Sequence, residues 1–143
     1  MGRKTNAKTC RGKLVGVLLA AIAIYFVGFL WFGVLFHDMW QAANGYTLEQ
    51  LEASFDPAIV FGGGFLIPLI LAFGIGWLLK KTGTTGLGSS IAFGAMLAIL
   101  FAAPVIGYSF VYNIIHSPTD LLLDISHSFV GFIVGAAVLS FFD

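Results

Sequence analysis

The chain has 143 residues, 59% of them hydrophobic and only 10% charged, and its seven basic and seven acidic side chains cancel. A soluble domain carries about a quarter charged residues, and the mean hydropathy here is +0.97, so the composition excludes an ordinary soluble fold and points to an integral membrane protein. Zero net charge removes any global pull toward nucleic acid, and a single cysteine, Cys10, excludes an internal disulfide.

The first thirteen residues are basic, with Arg3, Lys4, Lys8, Arg11 and Lys13. Residues 14–36 follow without a charge. This run is longer than the apolar core of a signal peptide and ends in bulky aromatics, so it is expected to stay as a first membrane span. Residues 37–57 form a polar connection. Asn44-Gly45 marks a turn. Thr47 and Gln50 fit a capping box, after which Leu48, Leu51 and Phe55 share one stripe, which predicts a short amphipathic helix lying on the membrane surface. Asp56-Pro57 is a helix start.

The second span is predicted over 58–79. It contains Gly62, Gly63, Gly64 and Pro68 and closes on Lys80-Lys81. The glycine run lacks the lysine and strand context of a phosphate loop, so it reads as a close-packing surface, or with Pro68 as a kink. The third span, 87–115, is roughly 43 Å long if wholly helical. That exceeds a hydrocarbon core of about 30 Å, so it must tilt, bend at Pro104 or protrude. Ser117, Pro118 and Asp120 open the fourth span, 118–142, with an N-cap, a first-turn proline and an early acid. The fold expected is an all-α four-helix membrane bundle in one domain.

All seven Lys and Arg lie in the N-terminal segment and the loop between spans two and three, and six of the seven acids lie at the opposite end. The positive-inside rule then places both termini in the cytoplasm. Trp31 and Trp40 fall near the outer interface and Trp77 near the inner one, as an aromatic belt requires.

Gly28, Trp31 and Phe32, followed by Phe36 and Trp40, close the first span, and LLLDISHSFVGFIVGAAVLS forms the last. In these residues and in the order of its spans the chain resembles the bacterial domain-of-unknown-function family 1761, small proteins expected to have four spans. Phe32 stands where that family often has tyrosine. The resemblance implies the architecture and a bacterial inner membrane, and it implies no activity.

The last span is expected to be the packed centre. Asp120, Asp124, His127, Gly131 and Gly135 are spaced 4, 3, 4 and 4 and fall within roughly an 80° arc of one helix face. A G-x-x-x-G step lets another backbone approach, and ionisable groups inside an apolar span point inward and have a use. His37, Asp38 and His116 share the outer side with Asp120, Asp124 and His127, and Tyr108, Tyr112 and Asn113 reach the same level from span three.

Several readings of this outer cluster follow. Asp124 and His127 hold the bundle together, to each other or to the tyrosines. Alternatively they form a proton relay or a polar ligand pocket. Three imidazoles and three carboxylates would also suffice for a divalent metal, although no H-x-x-x-H or H-E-x-x-H is present and the ligands lie on different helices. Ser126 and Ser128 flank His127 but cannot face it, so no Ser-His-Asp triad arises here. No cofactor is implied beyond contacting lipid, and an enzyme is the least supported class. The small size and short loops favour a structural or accessory subunit that packs with itself or a larger membrane complex. Small-molecule, proton or metal handling through the outer cluster is the alternative.

Overall fold

A computed structural model describes residues 3–112, 114 and 117–142. His116 and Asn113 lie outside the described residues. Among them the chain forms six helices and no strand. α1 covers residues 3–35, α2 is His37–Asn44, α3 is Leu48–Ser54, α4 covers 58–82, α5 covers 87–112, and α6 is Pro118–Leu139. Four of them, through Gly12–Leu35, Ala58–Thr82, Leu87–Tyr112 and Pro118–Leu139, are long and apolar enough to cross a membrane.

The basic N-terminal segment is helical and continuous with the first span. The connection after it holds two helices where one was expected. Asn44-Gly45 does not link loop to loop; it closes α2. Gly45 adopts φ +68°, and its N–H and that of Tyr46 bond back to Ala42 and Gln41, a Schellman-type stop that glycine makes without steric cost. α2 has no side-chain cap at its start, which is why its N-terminus left no mark in the sequence. α3 carries the expected capping box: the Gln50 N–H donates to Thr47 Oγ1, and Thr47 N–H donates to Gln50 Oε1. Gly83, at φ +67°, ends α4 in the same way as Gly45 ends α2.

Three of the long helices contain a π-helical stretch: Phe29–Leu35 in α1, Ala58–Gly63 in α4 and Ala98–Ala102 in α5. The last of these directly precedes Pro104 and the second precedes Pro68. A proline removes one ladder bond and its ring crowds the carbonyl four residues back; for Pro104 that carbonyl belongs to Leu100, inside the π-helical stretch, whose wider turns relieve the crowding. Both helices continue through their prolines.

α6 is the hub, packing against α1, α2, α4 and α5. α1 also packs against α4, whereas α4 and α5 scarcely meet. The core consists of Ala20, Ala21 and Ile24 of α1, Ala72, Ile75 and Leu79 of α4, Leu97 of α5, and Ala136 and Leu139 of α6. Four of these nine are alanine, which permits the close axes on which van der Waals packing in lipid depends. The tightest approach is at Gly94 of α5: a Cβ there would sit 2.6 Å from the Phe132 carbonyl oxygen. Ser90, Gly94 and Ala98, spaced by four and all buried, form the seam against α6.

The glycines expected to pack are placed differently. Gly135 receives the Ile24 side chain, whose Cδ1 lies 2.7 Å from the position of a Cβ, and Gly131 lies near the same side chain. These are notches for Ile24 of α1, with Ile75 of α4 also against Gly135, so side chains make the contact where another backbone was expected. Gly62 and Gly63 face open space, and only Gly64 touches another helix, through Tyr25.

Candidate functional site

An apolar cavity of about 740 Å³ opens between α1, α2, α3, α4 and α6 at the end opposite the lysines. This falls within the ~300–1,000 Å³ range of small-molecule sites. Glycines at 28, 33, 64 and 131 lie along it, and Phe29, Phe32, Phe55, Phe61 and Trp40 supply aromatic walls. Leu51, Ser54 and Phe55 bring the amphipathic helix α3 and its C-cap to its rim. His37, His127 and Ser128 are the polar side chains that matter most on an otherwise hydrocarbon surface.

His37 is fixed by two hydrogen bonds. Its Nδ1 lies 3.0 Å from the Phe32 carbonyl oxygen, and its Nε2 lies 2.9 Å from Gln41 Nε2. A carbonyl only accepts and an amide nitrogen only donates, so the ring carries its proton on Nδ1 and accepts at Nε2. The Phe32 carbonyl stands near the end of the π-helical stretch, where the ladder stops. His37 thus satisfies a backbone acceptor that the helix leaves open.

His127 sits one layer deeper. It meets the Phe32 ring edge-on, with centroids 4.9 Å apart, and its Nε2 is 3.2 Å from the point a Cβ of Gly28 would occupy. A Cβ at 28 would push the imidazole back by a few tenths of an ångström. Among the described residues His127 has no hydrogen-bond partner. The neighbouring turn of α6 is anchored separately: Trp31 Nε1 donates to Ser126 Oγ at 3.2 Å, and that hydroxyl donates to the Leu123 carbonyl.

The expected cluster is not one constellation. His127 and His37 line the cavity, whereas Asp120 and Asp124 line a separate small pocket against Ile106, Ser109 and Phe110 of α5. Asp124 and His127 do not hydrogen-bond each other. Asp120 accepts a 2.7 Å hydrogen bond from Asn44 Nδ2, and Ser117 Oγ caps its backbone N–H. Asp38 is exposed in the first turn of α2, where an acid suits the helix dipole.

Tyr108 and Tyr112 do not reach Asp124 or His127. They pack on one another at 4.5 Å and are 67% and 72% exposed on the outer face of α5. Among the described residues no three His, Cys, Asp or Glu side chains gather as metal ligands. Sequence reasoning missed the aromatic cavity wall, Asn44 and Gly94. Gly28, quoted above only as part of an aromatic motif, was the legible trace of the cavity. Ser90-x-x-x-Gly94 was the legible trace of the α5 seam.

The family described as "Protein of unknown function (DUF1761)" matches residues 15–140 of the chain. No curated protein and no solved structure matches it.

Proposed function

This chain belongs to the DUF1761 family, and from that premise we propose that it is a small-molecule-binding membrane protein that takes an amphiphile into the cavity beside His127. The observation that carries the reading is an imidazole, with no hydrogen-bond partner among the described residues, set in the wall of a large apolar cavity. The ring is half-buried and its nitrogens can still reach the cavity, so a ligand with one apolar chain and one hydroxyl or carboxyl head would satisfy ring and walls together. By the charge segregation the cavity faces the outside of a bacterial inner membrane and both termini the cytoplasm. No step of catalysis is implied.

One experiment tests occupancy and orientation together. In a Cys10→Ser background, Ser54→Cys at the cavity rim should react in whole cells with an impermeant thiol reagent. A long-chain fatty acid should slow that reaction at least threefold, and should leave Glu49→Cys, on the exposed side of α3, unchanged. Equal slowing at both positions, or none at either, contradicts the cavity reading. Absence of labelling in intact cells with labelling after lysis contradicts the orientation.

A subunit role has a separate observation behind it. The C-terminal half of α5 packs on α6 and leaves Val105, Tyr108, Val111 and Tyr112 exposed along one side. A second copy or a larger partner would cover that side. Light scattering in mild detergent decides between lipid and protein there, since a strict monomer removes self-association.

A further inference from the structure

At the lysine-bearing end, a second groove of about 220 Å³ runs between α1 and α4 beside the end of α6. Val17, Phe73, Gly76, Leu139 and Phe142 line it with hydrocarbon, and Lys13 and Lys80 stand at its margin. We infer that this groove is a binding site for an anionic phospholipid, with an acyl chain along the groove and the phosphate between Lys13 and Lys80. The proposal is independent of the cavity beside His127, which lies at the other end of the molecule.

Four observations lead to that occupant. First, the groove is built by missing side chains. A Cβ on Gly76 would lie 3.4 Å from Leu139 Cδ2, and Phe142 packs directly over Gly16, where a Cβ would fall 2.7 Å from its own. Second, both lysines are exposed at the margin of the groove. Neither Lys13 nor Lys80 has an ion-pair partner among the described residues, and no described residue of the lining is acidic. Lys81, by contrast, lies over the Trp77 ring at 5.8 Å. Third, all seven Lys and Arg of the chain belong to residues 1–13 and 80–81, against one of its seven acids, Asp143, at the same end of the sequence pattern, so the charge balance there favours an anion. Fourth, Trp77 lines the same groove and is 53% exposed, as a side chain at the headgroup level would be.

Hydrocarbon walls ending in two exposed cations match a chain ending in a phosphodiester. Basic pockets between spanning helices are where anionic headgroups bind. A zwitterionic lipid brings the same phosphate with a cation attached, which the second lysine repels. Selection should therefore be by headgroup charge.

The test uses the full chain in mixed micelles with equal amounts of phosphatidylglycerol and phosphatidylcholine of identical chains, with retained lipid measured by mass spectrometry after purification. The wild type should retain phosphatidylglycerol at least fivefold over phosphatidylcholine. Lys13→Gln/Lys80→Gln, changed at two exposed positions, should bring the ratio to within twofold of unity, while Lys81→Gln keeps the wild-type ratio. Glycerol phosphate at millimolar concentration should leave the ratio unchanged. No preference in the wild type means only annular lipid, and overturns the site. A preference that survives the double substitution, or that free glycerol phosphate abolishes, overturns it as well.

Discussion

Asn44 and Asp120 lie 76 positions apart in the chain and meet at 2.7 Å. Asn44 is a good turn residue and Asp120 a good first-turn acid, and each reading is right locally. Neither local reading reveals the pair, because it depends on how α2 rides over α6. A hydrogen bond to a charged group contributes about 1.5–3 kcal/mol where buried, and less at this half-buried site. Asn44→Ala and Asp120→Ala should therefore show a coupling of about 1 kcal/mol in a double-mutant cycle. The cycle removes the separate dipole benefit of Asp120. Additive losses of thermal stability would mean the bond contributes nothing. His127 teaches the same lesson from the other side. Its presence on an inward face was legible, but its neighbours, Gly28 and Phe32, were legible only as an aromatic and glycine motif.

At the scale of elements, the helices were legible from hydropathy, while their rotational phase was not. Tyr108 is eighteen residues beyond Ser90, about five full turns of an ideal helix, so it shares the face of Ser90 in a regular reading. The π-helical stretch Ala98–Ala102 intervenes. Its wider turns hold more residues each, and the phase lags. Ile106 and Phe110 then face α6 in place of the tyrosines. No residue pattern announces this π turn beyond the proline that follows it, and the one in α1 has not even that. The glycine runs were misplaced for a related reason, since G-G-G advertises closeness but only phase decides who approaches. Gly94→Ala should cost about 1–2 kcal/mol, because its Cβ would meet the Phe132 carbonyl and overpacking outweighs the gain in helix propensity. Gly62→Ala, with nothing within 4 Å, should be neutral or stabilising. Thermal denaturation of both in one detergent checks the pair, and equal losses would reject the α5–α6 seam as the tight contact.

At the scale of the molecule, charge and hydrophobicity divide the chain into a basic end, an apolar middle and an acidic end. That division was readable from residue order alone. The bundle built on it is not closed, since α4 scarcely meets α5 and α6 carries the packing for both. The cavity beside His127 follows from this: glycines at 28, 64 and 131 thin three helices at one level, and α3 reaches over the rim. No single segment encodes such a space, and it becomes visible only once three helices are in register. Trp40 lines the cavity, which gives it a direct reporter. With Trp31→Phe and Trp77→Phe leaving Trp40 as the one tryptophan, a brominated fatty acid should quench its emission saturably, and Ser128→Phe, which fills the wall, should abolish the saturable component. Quenching that rises linearly with bromolipid and is identical with and without Ser128→Phe would show that Trp40 senses bulk lipid and that the cavity holds no ligand.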